Sequence, residues 1–329
     1  MAEWIDLLDP DETELREALG RDVHDRAFEQ LLEPTRHDDE PRPRLEGQEH
    51  YVFGVFLVPI AIREENRVFY QEVDLIAMRD RLVTVRKTPE GGYPFDVSQA
   101  QDAARAEHVT RTGLMVYRLV DVIAEYYLDL VDALDDEIDE LEDGIEHWPA
   151  TQVRQRISTL RHDLLRVRRT LAPTRDAVRR VVDRRIDVGR GPEVLPRDVE
   201  LDFADVYDKL LRALDGLDLS RDLLASARDY QQAKIANDQN EVTKRLTVIA
   251  SLLLVPTFIV GVYGQNFRHI PELRWGFGYW WSWGLIVVTT IVQLAIFRWL
   301  GWIGRAPLKL PPLRTLDPRT LAGRRRSGA

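Results

Sequence analysis

The 329-residue sequence contains no cysteine, which excludes a disulfide scaffold, a thiolate zinc site, an iron–sulfur centre and a cysteine nucleophile. It has no Gly-rich phosphate loop and no nucleophile–histidine constellation. No carboxylate pair stands out among its 55 acids, so an enzyme is not expected. The opening Met1 to Asp6 lacks an apolar stretch, and no signal peptide is expected there. With 30% charged residues and a net charge of −10, the averages read as a soluble acidic protein. They exclude a collagen-like or low-complexity chain and a bundle of many membrane helices. The length allows two domains with a core.

The averages hide a more telling absence. Leu246 to Phe267 contains no ionisable group except Tyr263, and Trp275 to Phe297 none except Tyr279. A hydrocarbon core about 30 Å thick needs about 20 apolar residues as helix, so both runs fit a transmembrane span. Tyr279, Trp280, Trp281 and Trp283 open the second run and Trp299 and Trp302 close it, the pattern of an interfacial aromatic belt. The link from Arg268 to Arg274 is too short for a domain. A helical hairpin with both termini on one side is therefore expected, and the bilayer is an expected partner. The tail carries Arg298, Arg305, Lys309, Arg314, Arg319 and Arg324–Arg326, which places it, and with it the large amino-terminal part, in the cytoplasm. Prolines 307, 311, 312 and 318 argue against regular helix beyond Gly304.

Charge is strongly polarised along the chain. Residues 1–120 carry net −10, 121–150 net −12, 151–190 net +8, 191–297 net −3 and 298–329 net +7. Residues 1–110 mix strand and helix signals and predict an α/β domain. Trp4–Leu8, Tyr51–Ala61, Arg67–Ala77 and Leu82–Val85 read as strands. A helix is predicted with Pro10 at its first position and Asp11, Glu12 and Glu14 in its first turn. The polar, proline-bearing residues 34–49 read as a loop, as do Thr88 to Pro94 with Gly91-Gly92. Two long helices follow, about 112–146 and 151–188, turned at Gly144, Trp148 and Pro149, the first acidic and the second Arg-rich. Their charges either pair across an antiparallel seam, or Asp132, Asp135, Asp136, Glu137, Asp139, Glu140, Glu142 and Asp143 concentrate cations. No aromatic residue interleaves with the arginines, so nucleic acid is not an expected partner.

Gly189 to Pro196 breaks the chain. From there to residue 265 a single helix would be about 100 Å long. A helix that long needs partners, and two spans per chain cannot enclose a polar path, so a homo-oligomer with the long helices around a common axis is expected. One face of that helix is small or polar at steps of three and four: Asn240, Thr243, Thr247, Ala250, Leu254, Thr257, Gly261 and Gly264. This suits a pore lining, or close helix packing. Leu246 and Leu254 are candidate hydrophobic constrictions that gate by dewetting. In the other direction Asp229, Asp222, Asp215 and Asp208 recur at heptad spacing, as a solvated coiled-coil face or an acidic funnel for cations.

The first run ends in Tyr263-Gly264-Gln265-Asn266-Phe267, followed by Pro271-Glu272-Leu273-Arg274-Trp275. With Pro256-Thr257-Phe258, Asn240-Glu241-Val242 and Phe203-Ala204-Asp205-Val206-Tyr207-Asp208, these stretches resemble the CorA family of divalent metal ion transporters, whose mark is a Gly-Met-Asn triplet. The resemblance is specific over about residues 203–300. It implies an α+β membrane protein: a cytosolic α/β domain, a stalk helix continuous with the first of two transmembrane helices, and a funnel-shaped homopentamer in the cell (inner) membrane. Gly264, Gln265 and Asn266 would form an outer selectivity ring for a hydrated cation, with Glu272 in the outer loop. Asn240, Thr257 and Asp229 match pore-facing positions. Asp205 matches an intersubunit acid that senses Mg²⁺ and closes the gate when the cytosol is replete. Mg²⁺ is then both substrate and regulatory ligand, with no resident cofactor. Gln265 stands where the family has Met, and the zinc-transporting branch also departs there. His269 reads as a solvent-exposed loop residue rather than a metal ligand.

The expected organisation is a cytosolic α/β domain (1–110), an acidic/basic helical hairpin (111–190), the cytosolic stalk (191–245), transmembrane helix 1 (246–267), an outer loop (268–274), transmembrane helix 2 (275–303) and a basic cytosolic tail (304–329). Three functions compete: a passive divalent cation channel with Mg²⁺ first, a proton-coupled Zn²⁺ or Co²⁺/Ni²⁺ transporter, and a non-conducting membrane-anchored sensor.

Overall fold

The computed structural model describes residues 2–20, 23–34, 41–62, 67–88, 94–186, 194–266 and 270–304. Gly91-Gly92, the break at Gly189, Phe267 to His269 and the tail beyond Gly304 lie outside the described residues. The chain divides into two compact units, Met1–Gln232 and Ala233–Ala329.

The first unit is built on strands β1 (Glu3–Leu8), β2 (Arg44–Gly47), β3 (Val52–Ile62), β4 (Arg67–Ala77) and β5 (Arg81–Arg86), in sheet order β1-β5-β4-β3-β2. β1 runs parallel to β5 and the other pairs are antiparallel; β3 and β4 pair from Val52 opposite Ala77 to Ile62 opposite Arg67. The strands are rich in Val, Ile and Phe, and side chains alternate between two buried faces. Phe53, Val55, Ile76, Val83 and Val85 pack against α1 (Glu12–Leu19) and α2 (Asp25–Leu32). Val52, Phe56, Val73, Leu75 and Leu82 join the larger core with α3 (Ser98–Ala106) and α4 (Thr112–His147).

The sequence places the first helix two residues early. Asp9 adopts a positive φ of 47°, and the helix starts after Asp11, whose Oδ1 accepts from the backbone of Thr13 and Glu14 while Glu14 returns a bond to Asp11. This reciprocal cap outcompetes a proline start. β2 lies inside the stretch read as loop: only four residues long, it is an edge strand held by β3, and four residues carry too little periodicity to show in a sequence.

α4 and α5 (Ala150–Val182) form the hairpin, turning at Trp148-Pro149. A Cβ on Gly144 would fall 2.5 Å from the Trp148 ring, so glycine is what allows that ring to fold back over the helix end. The Tyr127 hydroxyl donates to the Leu57 carbonyl at 2.8 Å and fastens α4 to β3. The seam between α4 and α5 is apolar, with Leu134, Ile138, Leu141, Val153, Ile157 and Leu160 buried. Glu137 and Arg156 bridge it at 2.7 Å, but Asp132, Asp136, Asp139, Glu140, Glu142 and Asp143 have no ion pair among the described residues. Pairing across the seam is therefore a local feature, because the apolar faces turn the charges outward.

α6 (Arg197–Tyr263) follows Pro196 as one 67-residue helix and continues through Pro256. In the first unit its Val199, Phe203, Val206, Leu210, Ala213, Leu217 and Leu224 are buried in the core. In the second unit, a 3₁₀ turn (Pro271–Arg274) precedes α7 (Gly278–Trp299). α6 and α7 are both long and apolar enough to cross a membrane. The Trp275 ring stacks on Phe277 at 5.2 Å and meets Trp281 edge-on at 6.0 Å, clustering aromatics at the start of α7.

Candidate functional site

From Asn240 to its end, the buried or half-buried positions of α6 are Val248, Ser251, Leu252, Val255, Pro256, Ile259 and Tyr263. Their three- and four-residue steps define the face covered by α7. Gln293 of α7 donates its amide to the Ser251 carbonyl at 3.2 Å across this contact. At about 100° per residue, the row Asn240, Thr243, Thr247, Ala250, Leu254, Thr257, Gly261 and Gly264 falls on the opposite side of the helix. Every one of these residues is exposed in the single chain. Leu246 is also exposed, at the edge of the row beside Thr247.

The threonines in this row share a geometry that the residue pattern did not reveal. The hydroxyls of Thr243, Thr247 and Thr257 donate to the carbonyls of Gln239, Thr243 and Leu253 at 2.9, 2.9 and 2.7 Å. Each hydroxyl proton is committed to the backbone, so the oxygen presents lone pairs outward. Such oxygens accept hydrogen bonds from the water shell of a cation.

The helix ends earlier than the uncharged run. Its last residue is Tyr263, and Gly264, Gln265 and Asn266 stand beyond it, exposed. The Gly264 N–H still bonds the Val260 carbonyl at 2.8 Å, and a Cβ there would sit 3.2 Å from that oxygen. The triplet thus sits at a helix C-terminus, where unsatisfied carbonyls carry partial negative charge and favour a cation. Glu272 is half-buried in the 3₁₀ turn, and its carbonyl accepts from the Trp275 N–H at 3.2 Å. His269 and Arg268 lie outside the described residues.

The acids around α6 differ in their partners. Several beside it are engaged: Lys209 pairs with Asp121 at 2.7 Å and with Glu125, Arg168 with Asp218, and Asp135 accepts from Ser220. Asp205, Asp208, Asp215, Asp222 and Asp229 are exposed, with no ion pair or side-chain hydrogen bond among the described residues. From Asp208 to Asp229 they form one heptad row opposite the buried face. Within the single chain, no group of three or more His, Asp or Glu able to hold a metal occurs among the described residues.

Gln293 was invisible as a candidate in the sequence, being one amide inside an apolar run. Its Nε2 bond to α6 and its buried Oε1, without a hydrogen-bond partner among the described residues, mark it as the polar tie between the two membrane helices.

A sequence model of the family described as "CorA-like Mg2+ transporter protein" matches residues 2–299. The chain is 27% identical over 304 residues to the cobalt/magnesium transport protein CorA of Thermotoga maritima, covering 91% of this chain and 83% of that one. It is 30% identical over 302 residues to YfjQ of Bacillus subtilis, covering 91% and 89%. Its fold is similar to the solved CorA magnesium transporter of Methanocaldococcus jannaschii, with a TM-score of 0.71, 23% identity and 91% of both chains covered. The family match runs from the first strand through both apolar helices. This chain is a member of the CorA family of divalent metal ion transporters.

Proposed function

We propose that the chain forms a homopentamer in the cell (inner) membrane, with both termini cytoplasmic, and passes divalent cations, Mg²⁺ first, into the cytosol. The observation that carries this reading is the oxygen-bearing row on α6, turned away from α7 and left open by the chain itself. Copies arranged around an axis would turn Asn240, Thr243, Thr247, Ala250, Thr257 and Gly261 to a shared path. Leu246 and Leu254 would be its apolar constrictions. Mg²⁺ releases its waters reluctantly, so hydroxyl, amide and carbonyl oxygens suit it better than a tight carboxylate cage. Gly264, Gln265 and Asn266 at the helix C-terminus would hold the hydrated ion at the outer mouth, beside Glu272. Asp208, Asp215, Asp222 and Asp229 would raise the local cation concentration at the inner mouth. Asp205, exposed and without an ion pair or side-chain hydrogen bond among the described residues, suits a regulatory cation held between subunits; loss of that cation would release the closed state.

A proton-coupled Zn²⁺ or Co²⁺/Ni²⁺ transporter on the same scaffold is the second reading, favoured by Gln265 in place of Met. The two separate in liposomes containing the purified protein. Mg²⁺ uptake independent of a pH gradient is the expected result. Zn²⁺ uptake that tracks the gradient, without Mg²⁺ uptake, replaces the first reading with the second.

A further inference from the structure

The two flanks of α6 beside its aspartate row differ in charge at the same height along the helix. We propose that these flanks dock on each other between neighbouring copies of this chain, so that each subunit contact joins an arginine groove to an acidic ridge. The inference rests on the ring assembly proposed above and adds the contact that closes it.

On one flank α5 leans against α6 and leaves a groove of ≈ 270 Å³. Leu165, 42% exposed, and Leu224 line its floor, and Arg161, Arg168, Arg221 and Arg228 surround it. Arg168 is tied to Asp218, whereas Arg161, Arg221 and Arg228 have no ion pair among the described residues. On the other flank α4 leans against α6. The Asp135 carboxylate accepts from Ser220 and that of Glu146 from Tyr230. Asp132, Asp139 and Glu142 follow Asp135 and Glu146 at steps of three and four, so they stand in the same helical row. All three are exposed and without ion pairs among the described residues, and beside them on α6 Leu219 is 57% exposed.

Height and sense both follow. The groove occupies α6 from Leu217 to Arg228, and the acidic ridge touches α6 from Ser220 to Tyr230. A rotation about an axis along α6 preserves height, so in a ring with the aspartate rows inward, groove meets ridge at the same level. Leu219 of one copy then has an apolar floor to cover, and Asp132, Asp139 and Glu142 meet Arg161, Arg221 and Arg228 of the next. Two-fold pairing of either flank with itself would oppose like charges, which is costly when desolvated. The interface is therefore head-to-tail, the type that closes into rings.

Charge reversal on the full-length protein in detergent tests this, read by native mass. Arg221→Glu with Arg228→Glu, or Asp132→Arg with Asp139→Arg, should each raise the protein concentration at which the ring falls apart by about tenfold or more. The four substitutions together should restore the ring, which also shows that the variants fold. Rings unchanged by either pair, or no recovery in the combined variant, overturn the proposal. The chain has no native cysteine, so oxidation of an Asp139→Cys, Arg221→Cys double variant should give a ladder of covalent oligomers. Each single variant should give none; a dimer from a single variant overturns the head-to-tail sense. If the unmodified protein is itself monomeric, the ring reading falls along with this contact. If it is a ring that ignores the reversals, this contact alone is wrong.

Discussion

The two ends of α6 belong to one helix but to two kinds of surroundings. In the first unit the helix buries Val199, Phe203, Val206, Leu210 and Leu217 within its own chain. Beyond Gln232 its buried residues are Val248 and Ile259 alone, and large side chains such as Leu253, Leu254 and Phe258 are exposed. The first unit is stabilised by burial that the chain itself supplies. The second holds apolar surface that only lipid or other copies can cover. Polar groups follow the same division. Asp121, Asp135 and Asp218 beside the first half have partners, whereas the aspartate row has no side-chain partner among the described residues, and the threonines of the pore row bond only their own helix backbone. What one chain leaves unsatisfied is what an assembly around an axis would use.

The largest effect that would break this division is at the outer triplet. Asn266→Ala should reduce Mg²⁺ flux to the background leak of empty liposomes while the native mass of the assembly stays unchanged. Normal flux would remove Asn266 from the filter. Next in size is the contrast between the two halves of α6. Phe203 is fully buried, and Phe203→Ala should destabilise the first unit by about 3–5 kcal/mol. Leu254 is 72% exposed in the single chain, and Leu254→Ala should shift the same unfolding transition by about 0.5 kcal/mol or less. It should instead change conduction, since it would open the constriction proposed at that position. Equal destabilisation by both would mean that the two halves share one core.

How much of this was legible in the sequence depended on the length of the signal. The eleven-residue strands, the 36- and 33-residue helices and the two apolar helices are long periodic patterns, and they appear close to where they were expected, although α5 ends at Val182 rather than near residue 188 and α7 starts at Gly278 and ends at Trp299 rather than spanning 275–303. The four-residue β2 and the capped start of α1 were not legible, because tertiary pairing and a local side-chain cap decided them. The small and polar row of α6 could be written down from residue spacing, but its position opposite α7 could not. Nor could the commitment of three threonine protons to the backbone, which turns the row into acceptors. The stop of α6 at Tyr263 rather than Phe267 also escaped the pattern: composition shows where charge is absent, and a helix can end inside that span.

A smaller effect is expected from the aspartate row. Replacing Asp208, Asp215, Asp222 and Asp229 by Asn should lower Mg²⁺ flux several-fold at low ionic strength. The loss should shrink as salt is added, because exposed charges are screened beyond about 10 Å at 0.1 M. The same change at Asp121, which is paired with Lys209, should instead cost stability and leave the salt dependence of flux alone. If flux in the four-Asn variant matches the parent at every ionic strength, the row is a solvated face and no funnel.

The smallest effect on conduction belongs to the sheet of the first unit, where a change should alter stability and leave the second unit untouched. Lys87 places its ammonium 2.6 Å from Glu72 and 3.0 Å from Asp74, and also donates to the Gln30 carbonyl at 3.0 Å. One ammonium cannot neutralise two buried carboxylates. Burial first, and then the Glu72 charge, push the Asp74 carboxyl up to about 8, against the pull of Lys87. The folded chain therefore holds a proton on Asp74 that the unfolded chain releases near pH 4. Between those values the native state binds more protons than the unfolded state, so stability falls as pH rises. The contribution is complete below about pH 4 and is lost as pH rises through about 8. The unfolding midpoint of the full-length protein should drop between pH 6 and pH 8, and Asp74→Asn should flatten that slope. Mg²⁺ flux of the Asp74→Asn variant should match the parent over the same range, because the proton sits in the packed half of the molecule. A pH slope that survives the substitution would assign the titration to another group.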